Sequence, residues 1–136
     1  MRLQLVLAVL LATMATNVLA SDWEFVGVAK GLTVEVEKQS LTRDGAVVKA
    51  WTRAVYDPAE TEGAATFKSD KRLYLFNCTK RLMALKQSTT FSDADFSGAV
   101  GEAVNVPDPL LSWSEVAPDS VGEAILQFVC KHAPRD

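Results

Sequence analysis

The chain has 136 residues and a formal charge of −3 at pH 7, from 14 Lys and Arg against 17 Asp and Glu. That length holds one domain of ordinary size, and the mildly acidic balance offers no global electrostatic case for nucleic acid or an anionic membrane as partner. Two cysteines and one histidine are too few for a zinc centre, which takes three or four protein ligands at close spacing.

Residues 1–20 are expected to be a signal peptide. Arg2 is the only charge before Asp22, an apolar run extends from Leu3 to Ala12, and Val18-Leu19-Ala20 suits signal peptidase. The apolar run is shorter than the roughly 20 residues that span a bilayer. No cysteine follows it to accept a lipid. The expectation is therefore an exported chain, periplasmic or at the cell surface or secreted, with neither a lipid nor an integral membrane anchor. Residues 21–136 form its single domain. Export bears on the cysteines. An even pair in an oxidising compartment is expected to form a disulfide, and Cys78 and Cys130 are the only candidates.

Along the mature chain, "GLTVEVEK" alternates with period two, Leu32, Val34 and Val36 facing one way, and reads as a half-buried strand. Asp44-Gly45 marks a turn. "AVVKAWTRAVYD" is a long strand. One face carries Ala46, Val48, Ala50, Thr52, Ala54 and Tyr56; the other carries Val47, Lys49, Trp51, Arg53 and Val55. The small residues of the first face let a helix come close. Pro58 is expected to end this strand because it cannot donate to a ladder, and "PAETEGAA" reads as a loop. "TFKSDKRLYLFNC" and "TKRLMALKQSTTF" follow each other with almost no gap and should pair as a tight antiparallel hairpin. "FSGAVGEAVNV" is a weaker strand, and "PDPLLSWSEVAP" an extended connector.

The tail reads as a helix. Ser120 and Glu123 have capping-box spacing, and Val121, Ile125, Phe128 and Val129 form an apolar stripe, with Leu126 and Cys130 at its edge. The fold class is α+β: a twisted antiparallel sheet of five or six strands with one C-terminal helix packed on it. A bond between Cys78 and Cys130 would fasten that helix to the central hairpin.

Catalytic constellations are missing from the sequence: it holds no phosphate-binding glycine loop, no GxSxG and no metal-ligand spacing. The single histidine, His132, falls at a helix end, where its charge suits the dipole. Asp93 and Asp95 flank a turn and read as turn formers. We therefore expect no enzyme, no cofactor and no metal. One local feature stands out. Lys68, Lys71, Arg72, Lys80, Arg81 and Lys86 lie within about twenty positions of an acidic chain. Of these, Lys71, Arg72, Lys80, Arg81 and Lys86 are the candidate partner-binding residues on the hairpin, set against the alternative that they are solvated charges guarding an edge.

The order of Trp23, Trp51, "FKS" at Phe67–Ser69, "NCTKR" around Cys78 and "WSEVAPDSVGEAILQFVC" from Trp113 to Cys130 resembles the bacterial surface-adhesin protein E family across nearly the whole mature chain. The resemblance implies an antiparallel sheet with a C-terminal helix tied to it by a disulfide. It further implies an exported non-enzymatic binding protein that binds host or extracellular-matrix-type proteins. The chain departs from the family pattern in lacking a lipid-acceptor cysteine and in carrying Asn77 before the first cysteine and Phe91 in the next strand. The alternative reading is a periplasmic accessory or stress protein that binds a small ligand or a protein partner between helix and sheet.

Overall fold

The computed structural model describes residues 21–135; the expected signal peptide lies outside the described residues. Eight strands form one antiparallel sheet: β1 (Trp23–Ala29), β2 (Leu32–Glu37), β3 (Thr42–Asp44), β4 (Val47–Glu62), β5 (Ala65–Asn77), β6 (Leu82–Phe91), β7 (Ala99–Asn105) and β8 (Ser114–Glu115). The helix α1 (Val121–His132) follows. The expected five or six strands become eight because two short strands complete rows begun by longer ones. The order across the sheet is β1-β2-β4-β5-β6-β7, six rows. β3 continues the β2 row along β4, and β8 continues the β7 row along β6. Three-residue and two-residue strands leave too little alternation to stand out in the sequence.

The expected boundary at Pro58 is also corrected. β4 runs on to Glu62 and pairs with β5 as far as Glu62 opposite Ala65. The β4–β5 register shifts between Val55 and Glu60, so Pro58 falls where no ladder bond is required of it. "PAETEGAA" is thus the tip of a hairpin rather than a loop. The connector "PDPLLSWSEVAP" holds a short 3₁₀ turn at Asp108–Leu110 and β8.

The register assigns the faces. Val36, Thr52, Arg72, Ser88 and Val104 stand opposite one another across β2, β4, β5, β6 and β7, and so share one face. The helix packs on that face. Ile125, Leu126 and Val129 are buried there with Val34, Val36, Val48, Ala50, Ala54 and Phe76. Leu126, placed at the stripe's edge by spacing, is only 2% exposed and belongs to the same core. The cap is as expected: the Glu123 N–H donates to Ser120 Oγ at 3.1 Å. The helix comes close to the sheet at Gly27 in β1, where a Cβ would stand 3.5 Å from that of Ala124. Two ties hold the helix C-terminus. Cys78 and Cys130 are bonded, with α-carbons 5.8 Å apart. Arg43 of β3 donates to the carbonyls of Pro134, at 2.7 Å, and Cys130, at 3.3 Å.

Candidate functional site

The basic residues of the central hairpin do not share one surface. Neighbours on a strand point to opposite faces, so Lys71 lies on the face away from the helix and Arg72 on the helix side. Lys80 and Arg81 sit in the turn between β5 and β6, and Lys86 is the residue bulged out of β6 between Leu85 and Gln87. Three of the five are held by carboxylates. Arg72 pairs with Asp70 and Glu62; Arg81 pairs with Glu123 of the helix; Lys86 reaches Asp108 and the Val106 carbonyl, both at 2.7 Å. Lys86 thereby ties the segment after β7 across one end of the sheet's outer face. Among the described residues, Lys71 and Lys80 have no ion pair.

What gathers around Lys71 is aromatic. Phe25, Glu35, Arg53 and Lys71 form one row on the outer face. The Arg53 guanidinium lies 4.5 Å from the Trp23 ring centre and 4.8 Å from that of Phe96, and pairs with Glu35 at 3.1 Å. The Lys71 ammonium lies 5.6 Å from the Phe96 ring centre and 5.9 Å from that of Phe91. Trp23, Glu37, Trp51 and Lys71 line a shallow hollow of about 260 Å³. Phe25, on β1 at the edge of this face, is 62% exposed. Each stacked cation contributes on the order of 1 kcal/mol at such half-exposed sites. The result is a rigid platform of rings and cations. The sequence carried a sign of it: Trp51 and Arg53 alternate away from the small-residue face of β4. Trp23 and Phe96 carried none, because a strand edge and a loop bring them over that row.

Asp93 and Asp95 accept hydrogen bonds from Ser97 Oγ and so shape the loop that carries Phe96. His132 stacks on Phe128, ring centres 4.4 Å apart, at the end of the helix.

The helix side holds a second feature that single-residue reading missed. Asp70 is 1% exposed. Its Oδ2 accepts the Tyr56 hydroxyl at 2.6 Å and lies 3.0 Å from Arg72 Nε. The Nε–H is misaligned for a hydrogen bond, so that contact is charge attraction only. Burial pushes the Asp70 carboxyl above the ordinary carboxylate range, with Arg72 and then the Tyr56 hydroxyl pulling it back. Burial, with the Asp70 charge beside it, pushes the Tyr56 hydroxyl above its usual range. Arg72 is raised because the neighbouring carboxylate outweighs its desolvation. All three line a cleft of about 360 Å³ between the sheet and the start of the helix.

A family model for surface-adhesin protein E matches residues 23–131. The chain belongs to the surface-adhesin protein E family. Its fold agrees with solved structures of Haemophilus influenzae protein E. One crystal form matches with a TM-score of 0.53 and 13% identity over 78% of this chain and 91% of that one; the selenomethionine form matches with 0.53 and 13%, over 85% and 95%. At that identity the likeness shows the fold: an antiparallel sheet with a C-terminal helix. No curated protein matches this chain in sequence. As an adhesin E family member the chain has Trp23 and Trp51 on its outer face, while Trp113 precedes β8 and is 38% exposed. No helix among the described residues is long and apolar enough to cross a membrane.

Proposed function

We propose that this family member is an exported, non-enzymatic binding protein whose contact surface is the outer face of the sheet, and that its partners are host or extracellular-matrix-type proteins. The single observation that supports this reading is the platform of Trp23, Trp51, Arg53, Lys71, Phe91 and Phe96. Aromatic rings and arginine are the side chains that dominate protein interfaces, and here all but Phe96 are pre-ordered on strands, which lowers the entropic cost of docking. Lys71, the one member of the hairpin set within this platform, supplies positive charge that no carboxylate of the described chain takes up. Lys80 adds to it at the hairpin turn, while Arg72, Arg81 and Lys86 serve the fold first.

The test is binding of the exported protein to immobilised matrix proteins. Trp51→Ala with Lys71→Glu should weaken capture at least tenfold at low salt, and Lys80→Glu alone by a few-fold. Raised ionic strength should narrow both differences. Equal capture by all three proteins at low salt would remove the platform from consideration.

A further inference from the structure

The cleft between α1 and the sheet lies on the opposite face from the platform and is independent of it. The core under the helix draws on β2, β4 and β5, through Val34, Val36, Val48, Ala50, Ala54 and Phe76, and on no residue of β7. The helix therefore leaves the β6–β7 end of that face open. Two hollows result. One, of about 360 Å³, lies at the helix start, with Val34, Val121 and Ile125 as apolar walls. The other, of about 330 Å³, lies over β5, β6 and β7, with Phe67, Leu85 and Val104 as apolar walls. Arg72 lines both.

Among the residues lining the two hollows, Arg72 is the only cation. It is pulled two ways and satisfied by neither. Its Nε stands 3.0 Å from Asp70 Oδ2 without making a hydrogen bond, and is the one buried side-chain polar atom left unpartnered among the described residues. Its Nη2 reaches Glu62 Oε2 only at 3.5 Å, the outer limit of a hydrogen bond. The Glu62 side chain is 70% exposed, so water competes for it. A guanidinium carries five N–H donors and no acceptor, and donors left unmatched away from water are costly. The site asks for an acceptor. Ser88 stands opposite Arg72 on β6, on the same face, and is buried. Side chains so paired have Cβ atoms about 5 Å apart, and a hydroxyl accepts as well as donates. Charge then selects a neutral ligand. In the cleft one carboxylate, Asp70, balances one guanidinium. A ligand carboxylate in the other hollow would face Glu62 and Glu102. An ammonium would face Arg72 and find Asp70 already engaged by Arg72 and the Tyr56 hydroxyl.

We infer that Arg72 and Ser88 bind a neutral secondary amide, its carbonyl oxygen accepting from the guanidinium and its N–H donating to Ser88 Oγ, with one apolar group in each hollow. The amide takes the place of Glu62, which frees the guanidinium to turn and align its Nε–H on Asp70. An apolar polypeptide segment and a dialkyl amide share that chemistry.

The experiment titrates the exported, disulfide-bonded protein with N-butylpentanamide, dipentylamine and nonanoate, followed by backbone amide chemical shifts around Arg72, Ser88 and Val121. The amide should bind roughly tenfold more tightly than the cation or the anion, the size of one or two hydrogen bonds. Glu62→Gln, which removes the charge that competes for Arg72, should tighten amide binding about threefold. Arg72→Lys should weaken it roughly tenfold, because an ammonium lacks the planar fork. A fourth probe, acetyl-leucyl-leucinamide, identifies the source: binding tighter than that of N-butylpentanamide assigns a polypeptide, weaker binding a dialkyl amide, and either keeps the site. The probe comparison and Glu62→Gln, at an exposed side chain, decide the matter if Arg72→Lys fails to fold. Equal or tighter binding of dipentylamine or nonanoate, weaker amide binding by Glu62→Gln, or no shift with any probe overturns the assignment.

Discussion

At the scale of single residues, Asp70 carries the sharpest consequence. Its carboxyl is held above the ordinary range by burial. The folded state therefore keeps its proton to higher pH than the unfolded chain does, where the value is about 3.9. Linkage then fixes the sign. The stabilising contribution of the protonated form is fully present below the unfolded value and is lost as pH rises through the folded one. Wild type should gain stability relative to Asp70→Asn as pH falls from 7 towards 4, read from urea midpoints at three pH values. A constant difference across that range would contradict the environment described for this carboxyl. Leu126 gives a second test. Its side chain fills space between helix and sheet at 2% exposure, so Leu126→Ala should cost about 2–5 kcal/mol. Gln127→Ala, on the exposed side of the same turn, should change little.

At the scale of elements, the strength of local pattern decided what the sequence disclosed. β2, the first part of β4, the β5–β6 hairpin and α1 each carry a long run of period two or 3.6, and each was legible. The capping Ser120 and the Cys78–Cys130 bond were legible too, one from spacing and the other from export and parity. β3 and β8 were not, because so few residues hold no period; their neighbours call them into the sheet. Pro58 misled because its penalty applies only where a ladder bond is needed, and the β4–β5 bulge removes that need. The basic hairpin misled for a related reason. Sequence proximity joined Lys71 and Arg72, and the pleat separated them. Arg43 had no local signal at all, since its partners lie some ninety positions away at Pro134 and Cys130. It nonetheless gives the helix end a second tie. Closing a loop of 52 residues, the disulfide contributes about 4 kcal/mol on a chain-entropy estimate. Cys130→Ser should cost about 2–5 kcal/mol and leave the helix docked by Arg43, with its amides the first to exchange. Adding Arg43→Ala should release the helix end further, by more than the sum of the two single effects. Strict additivity would mean that the two ties act independently.

At the scale of the molecule, the helix covers one face of the sheet and the row of rings and cations lies on the other, and the N-terminus borders the second. The Asp22 N–H donates to Glu37 Oε1 at 2.8 Å, and the Asp22 carbonyl accepts from the Lys38 N–H at 2.8 Å. These bonds fasten the chain to the end of β2 two residues after Ala20. Ser21 lies at the rim of the hollow formed by Trp23, Glu37, Trp51 and Lys71. Signal cleavage after Ala20 would leave this anchor whole and set the new α-ammonium of Ser21 beside the platform, adding a positive charge near Lys71. Cleavage a few residues later would remove Asp22 and free the edge strand β1, on which Gly27 meets the helix. A mature chain beginning at Ser21 would keep this anchor. N-terminal sequencing of the exported protein should give Ser-Asp-Trp-Glu. A chain starting at Ser21 should match the exported protein in its urea midpoint, whereas one starting at Glu24 should fall below it by about 1–3 kcal/mol, the cost of the lost bonds and of uncovering Arg53 where Trp23 stacks on it. Recovery of Met1 on the exported protein would defeat the cleavage, and equal stability of the two truncated chains would defeat the anchor.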